Sequence, residues 1–345
     1  MNRAFLLGCL LSILTFAQEK EETIPLRPPE KEITIPAQPY VRNGVAEPYL
    51  EGDFIYWEVK EDGLEFAASG YGTYEEPVTS RGKVYFPKFK KSPGFRVGVG
   101  VNLAHDGWDL FLRYTWIDSR AKNAQKGFFI PLWVNGPNPF LNEVTETKVD
   151  WNVHLDVLDL EWGRSFYISR FLTLRPFFGL KGYWSDQTYD NHSSGTTIEN
   201  NQRMNAAQRT HYIQDAWGIG VRFGLGGVWY LKKNWSVFGG GVLANEWSRF
   251  DLRRKDTGAI LAQGAEETLV HTRSKEYHMV PIIELMAGVR WEMWFSDDDY
   301  HALIQAGWEE QIWFHLNQMK GVYDYSGGPG SLQLQGLTFK FRFDF

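Results

Sequence analysis

Cysteine is almost absent: the 345 residues contain one, Cys9, inside an N-terminal stretch expected to be removed. A mature chain without thiols holds no disulfide framework and no thiolate metal site. Long hydrophobic runs are equally scarce. The run from Ala4 to Phe16 falls short of the ~20 apolar residues a spanning helix needs, and the strongly charged Gln18 to Glu22 follows it. Excess positive charge is missing too. The 36 Lys and Arg against 42 Asp and Glu give a formal charge of -6, which argues against nucleic acid as a partner. Phosphate loops are lacking, since Gly218 to Gly227 and Gly239 to Gly241 precede neither Lys-Ser nor Lys-Thr.

Aromatic residues are abundant. Fifteen Trp, sixteen Tyr and twenty-four Phe are many for a soluble domain, and amphipathic rings favour membrane interfaces. The last nine residues place Leu337, Phe339, Phe341, Phe343 and Phe345 on one face of an extended strand, opposite Thr338, Lys340, Arg342 and Asp344. Such a strand meets lipid on one side and water on the other. At the other end, Arg3, the apolar Ala4 to Phe16 and the small-residue site Thr15 to Ala17 read as a signal peptide cleaved after Ala17. Acylation of Cys9 as a lipoprotein is the alternative, but so early a cysteine leaves almost no apolar region before it.

The expected organisation is a signal peptide over 1–17, a charged, Pro-rich periplasmic tail over 18–49, and an all-β, antiparallel, up-and-down transmembrane barrel over 50–345. Ten strands are predicted: Leu50 to Val59, Gly94 to Leu103, Gly107 to Ser119, Val149 to Phe166, Phe171 to Ser185, Tyr212 to Tyr230, Trp235 to Phe250, Lys275 to Phe295, Tyr300 to Asn317 and Ser331 to Phe345. A hairpin of Leu64 to Ser69 with Lys83 to Phe89 would raise the count to twelve. Short connections alternate with long ones, which puts tight turns in the periplasm and long loops, among them Lys60 to Pro93, Arg120 to Lys148 and Gln187 to His211, outside. Trp151, Val153, Leu155 and Val157 share one face. The apolar parity then passes to Leu158, Leu160 and Trp162, which predicts a bulge near Val157 and Leu158. Pro176 and Pro281 fall inside predicted strands and each removes a ladder donor.

Gly52 to Ala67 (GDFIYWEVKEDGLEFA), Leu155 to Ser169 (LDVLDLEWGRSFYIS), Phe171 to Gly182 (FLTLRPFFGLKG) and Ala306 to Gln318 (AGWEEQIWFHLNQ) resemble the major-outer-membrane-protein-like pore-forming family of legionellae and chlamydia-related bacteria. The resemblance implies an abundant Gram-negative outer-membrane β-barrel acting as a general porin, with a homo-oligomer among its assemblies. It implies no disulfide-linked complex, because the mature chain has no cysteine.

Inward positions carry both signs. Arg113, Arg175, Lys181, Arg222, Arg290, Lys340 and Arg342 are expected there, with Asp109, Asp156, Asp159, Glu161, Glu284, Glu292, Glu309 and Asp344. Arg113, Arg175, Arg222, Glu284, Arg290, Glu309, Lys340 and Arg342 are the predicted pore-lining residues, and balanced charge predicts weak ion selectivity. The same residues equally make a salt-bridged plug. A closed adhesin-type barrel with contact loops is therefore the alternative to passive diffusion of small hydrophilic solutes or ions. Phe341, Phe343 and Phe345 are the expected terminal assembly signal, and the barrel-assembly machinery, membrane lipid and lipopolysaccharide the expected partners.

No catalytic residue, cofactor or metal is predicted. Asp297, Asp298 and Asp299 match no calcium-loop spacing. His154 and His315 are expected in the lumen near Asp156 and Glu309, without a nucleophile in a supporting motif. Trp57, Trp108, Trp116, Trp162, Trp229, Trp235, Trp294 and Trp308 are expected to form interface girdles.

Overall fold

The computed structural model describes residues 46–70, 81–104, 106–133, 140–141, 143–199, 201–232, 234–296, 299–319 and 329–345. Ten long strands, each antiparallel to the next, form the wall. They are β1 (Ala46–Glu61), β2 (Lys91–Leu103), β3 (Trp108–Pro131), β4 (Glu143–Arg164), β5 (Leu172–Glu199), β6 (Gln202–Tyr230), β7 (Trp235–Ile260), β8 (Glu266–Phe295), β9 (Tyr300–Asn317) and β10 (Gly330–Asp344). Pairing of β1 with β10, from Tyr49 opposite Asp344 to Glu61 opposite Leu332, closes the cylinder. Closure is what lipid demands, because an unpaired edge there would leave backbone polar groups without partners. β1 starts at Ala46, opposite Leu103, so the last residues assigned to the tail belong to the wall.

Outward side chains define a lipid belt. On β6, Trp217, Ile219, Val221, Phe223, Leu225 and Trp229 are exposed while Gly218, Gly220, Arg222, Gly224 and Gly226 alternate inward. From Trp217 to Trp229 a tilted strand rises about 30 Å, a bilayer's hydrocarbon thickness. Aromatic rings mark both rims. Tyr56, Trp116, Trp184, Trp217, Trp247, Tyr277 and Trp308 ring one side; Trp108, Trp162, Trp229 and Trp235 lie at the other, beside the tight turns and both ends of the wall. Two predicted girdle members are elsewhere. Trp57 is buried inside with its Nε1 donating to Thr338 Oγ1 at 3.1 Å, and Trp294 packs inward on His301 at 4.5 Å. Both sit at inward parity, which proximity to a strand end does not reveal.

The wall is lopsided. β3 to β8 run 22 to 30 residues, whereas β1, β2, β9 and β10 run 13 to 18. A bilayer needs only about 9–11 residues per strand, so the six long strands stand well above it as a tall, curved wall. Arg120 to Lys148 and Gln187 to His211, predicted as loops, are largely the continuations of β3 to β6. The predicted extra hairpin shrinks to Ala67–Ala68 paired with Val84–Tyr85, which also meets Ile130 and Pro131 and lies across the wall's concave face. It adds no barrel strand. Pro281 stands one residue before the β8 to β9 ladder begins at Ile282, where it interrupts no pairing with β9.

No bulge occurs near Val157 and Leu158, for the β4 ladders run without a shift from Trp151 to Trp162 on both sides. Trp151, Val153, Leu155 and Val157 face inward, as do Asp159 and Glu161 farther down the same face. What switches is the surroundings. Below the rim the outside is lipid and the inside is charged; above it the outside is water and the inside is packed with apolar side chains among buried polar ones such as Gln187, Gln214 and the Arg254–Asp256 pair. The outer face there is a lattice of ion pairs, including Arg120 with Asp150, Arg209 with Asp190 at 2.7 Å, Arg253 with Asp215 and Arg273 with Asp251 at 2.7 Å.

Candidate functional site

Among the described residues buried charged and polar side chains concentrate in the interior, which has two layers. Within the membrane span, inward charges of both signs meet across the lumen. Arg222, from β6, reaches Asp159 at 3.1 Å, Glu161 at 2.9 Å and Glu284 at 3.3 Å. Lys181 adds Asp159 and Glu284, both at 2.8 Å, and Arg113 adds Asp159 at 2.8 Å. Toward the turns, Arg175 holds Asp109 at 2.8 Å and Glu161 at 3.1 Å. On the opposite wall, Arg96 makes a two-pronged contact with Glu309, both prongs 2.7 Å. Lys340 pairs with Glu51, Arg342 with Asp344, and Arg290 reaches Gln305 at 3.3 Å.

Glycine makes room for these long side chains. A Cβ on Gly163 would sit 2.4 Å from Arg175 Nη2, and one on Gly224 would sit 2.2 Å from the tip of Phe177. The Phe177 ring in turn lies between the guanidinium groups of Arg175 at 5.1 Å and Arg222 at 5.3 Å. Buried ion pairs of this kind cost desolvation, which several well-directed bonds per charge must offset.

Above the ionic layer lies an apolar cap. Trp57, Ile117, Trp151, Leu155, Tyr183 and Phe250 form its lower tiers, and Leu64, Phe66, Trp133, Leu316 and Met319 fill the tall wall's concave face. Trp313 and Tyr183 meet edge-on at 5.2 Å, and Trp133 tilts on Tyr189 at 4.8 Å. Trp57 joins the layers, since Arg96 lies over its ring at 4.5 Å. Where cap and ions meet, between Trp57, Arg96, Ile117, Asp159 and Lys181, there is a cavity of about 10 Å³, the space of roughly one water.

All eight predicted lining residues, Arg113, Arg175, Arg222, Glu284, Arg290, Glu309, Lys340 and Arg342, point inward, and their side chains are engaged with one another or with neighbours. Sequence reading missed Arg96, Glu51, Asp53 and Glu246, all inward. The first sits between Phe95 and Val97 at the parity that could have found it. Asp156 is not inward: it accepts from Tyr114 and neighbours His154 at 3.2 Å on the outer face. His154 faces out with it, because polar groups lie outside at that height. His315 is exposed in left-handed backbone, φ 57°, where the pairing of β9 with β10 shifts between Trp313 and Asn317. Neither histidine meets the lumen. Asp297 and Asp298 lie outside the described residues; Asp299 is in the turn before β9. Among the described residues no cluster of three metal-binding side chains occurs.

One hydroxyl, carboxylate and imidazole set does line up on the inner face of β8. Ser274 Oγ is 3.5 Å from Glu276, whose other oxygen is 3.0 Å from His278. Acid stands between hydroxyl and imidazole, so the imidazole does not reach the hydroxyl as a general base must.

Residues 49–345 match the family described as the Legionella pneumophila major outer membrane protein precursor. The chain belongs to this family. It is an outer-membrane β-barrel protein. No curated protein matches it in sequence. Solved structures that it resembles include the outer membrane protease OmpT from Escherichia coli, at 10% identity and TM-score 0.35, covering 87% of this chain and 96% of that one. A Pseudomonas aeruginosa FadL homologue gives 8% identity, TM-score 0.27 and coverage of 88% and 91%. The Pseudomonas putida toluene transporter TodX gives 8% identity, TM-score 0.26 and coverage of 87% and 89%.

Proposed function

We propose that this outer-membrane protein is a closed, non-enzymatic barrel that holds a tall, charged body above the bilayer as a structural and contact surface of the cell. The observation that carries the reading is the cap: Trp57, Trp151 and Trp313 are at most 1% exposed and fill the cylinder above a salt-bridged layer. Tight turns and both wall ends face the periplasm, the tall wall faces outward, and residues 1–17 are a leader removed on export. A wall built of strands offers a rigid, ion-paired exterior for contact with host or neighbouring cells. Liposome swelling tests this. Vesicles carrying the refolded protein are expected to take up small sugars no faster than empty vesicles, and faster uptake would overturn the closed reading.

A second reading is passive diffusion of small solutes or ions, the family's porin-like role. Its favouring observation is the ionic layer, whose inward Arg222 Nε and Arg290 Nε have no hydrogen-bond partner in the protein and suit bound water. Passage then requires the cap to move aside. Single-channel recordings separate the readings, since a pore gives discrete current steps and a closed barrel gives none.

A further inference from the structure

The outer rim of the lipid belt carries cations of two kinds. Most are matched: Arg253 binds Asp215, Arg273 binds Asp251 at 2.7 Å, and Arg209 binds Asp190 at 2.7 Å. Arg249 and Lys275 are different. Among the described residues neither makes an ion pair: Lys275 stands opposite Asp251, which Arg273 holds, and Arg249 stands opposite Trp217 and Tyr277. Both face outward. Arg249 stands opposite Tyr277 and Lys275 opposite Asp251 in the β7 to β8 ladder, so the two are diagonal neighbours on one face, about 7–8 Å apart at their backbones and within reach of one small anion through their long side chains.

Beside and beneath them is a cluster of rings. Trp217, Trp247 and Tyr277 are 38%, 46% and 54% exposed. The indoles meet edge-on at 5.7 Å and Trp247 stacks on Tyr277 at 5.5 Å. Arg249 lies in the same register row as Trp184, Trp217 and Tyr277, at the height where hydrocarbon gives way to head groups. Two cations without an ion-pair partner, bordered by exposed rings of which Trp247 and Tyr277 stack, complement an amphipathic anion: phosphate for the cations, a sugar ring for the exposed ring faces, acyl chains for the belt below.

We propose that Arg249 and Lys275, with the Trp217, Trp247 and Tyr277 cluster, form a binding site for a phosphorylated, sugar-based lipid of the outer leaflet. The site rests on the orientation given above, in which the tall wall faces outward. Arg249 supplies a planar fork to one phosphate and Lys275 a point charge to the same group. A glycerophospholipid shares the phosphate but brings no sugar face to the rings.

The test uses the full-length mature barrel refolded in vesicles containing diphosphoryl lipid A, with retained lipid counted by native mass spectrometry after gentle detergent extraction. Wild type is expected to retain lipid A, and R249Q with K275Q to bind it at least about tenfold more weakly, as loss of charge-assisted bonds implies. R120Q, which removes an outward cation already matched to Asp150 on strands away from the site, should bind as wild type does. Equal retention by wild type and the double variant overturns the site. So does displacement of lipid A by an equal amount of phosphatidylglycerol, which would make the patch a general anion surface. Should the double variant fail to refold, R249Q alone carries the comparison. Solute uptake measured on the same vesicles reports on the closed lumen separately, so failure of one proposal leaves the other readable.

Discussion

Glu61 turns the tall wall's apolar filling into a measurable pH dependence. The residue ends β1 above the lipid belt, on the inward face, and is 2% exposed. Its Oε1 accepts from Gln187 Nε2 at 2.9 Å, Gln187 Oε1 accepts from Trp151 Nε1 at 3.2 Å, and Oε2 has no partner. Burial pushes its pKa up from 4.5 to about 8, with Asp62 adding to the rise and the Gln187 bond opposing it. Below pH 4.5 the carboxyl is protonated folded or unfolded, and it has no effect on stability. Between 4.5 and 8 the folded chain keeps a proton that the unfolded chain has lost, so stability falls as pH rises, by about 1.4 kcal/mol per unit. Above 8 the loss levels off near a total of about 5 kcal/mol. Glu61→Gln keeps an acceptor for Gln187 and removes the titration. Urea unfolding in lipid vesicles at pH 5, 7 and 9 should therefore show the variant gaining on wild type by several kcal/mol across the range. Other titrating groups cancel in that difference. A constant difference from pH 5 to 9 would refute the buried, unpaired carboxyl.

Arg222→Met should cost about 3–5 kcal/mol, because it leaves Asp159, Glu161 and Glu284 without their shared cation; an unchanged urea midpoint would mean that the ionic layer does not hold the wall. Phe345→Ala tests the terminal assembly signal of Phe341, Phe343 and Phe345. The Phe345 amide still donates to Pro48 O at 3.2 Å in the variant, so refolded stability should change by less than about 1 kcal/mol while the amount inserted in the outer membrane of expressing cells falls. Equal insertion would remove the signal role.

The belt was legible because lipid and lumen impose opposite demands on alternate residues, and β6, β8 and β10 obey them along their whole membrane span. Trp217 to Leu225 against Gly218 to Gly226, and Leu337 to Phe345 against Thr338 to Asp344, need no tertiary knowledge to be oriented. The inward set Arg113, Arg175, Arg222, Glu284, Arg290, Glu309, Lys340 and Arg342 follows from the same parity. What parity does not contain is height. Along β4 a single inward face reads Trp151, Val153, Leu155, Val157, Asp159, Glu161, apolar and then charged, without any change in the backbone. Read as though lipid bounded the whole strand, that sequence asks for a bulge and turns His154 and Asp156 inward.

Strand length resolves the conflict and also explains the packing inside the tall wall. β3 to β8 are two to three times longer than a bilayer requires. Their outer halves therefore stand in water on the convex side, and a sheet with water on one face must bury the other. Only the inside is available for that burial. Leu64, Phe66 and Trp133, carried in by the connections, supply the second layer against Trp151, Tyr189, Tyr212 and Phe250. A barrel whose strands stopped at the head groups would have no such face to cover and would leave its charged layer open to solvent. Here the excess strand that raises the body above the belt also creates the apolar concavity that these side chains fill, so the tall exterior and the packed interior are one consequence of the same long strands.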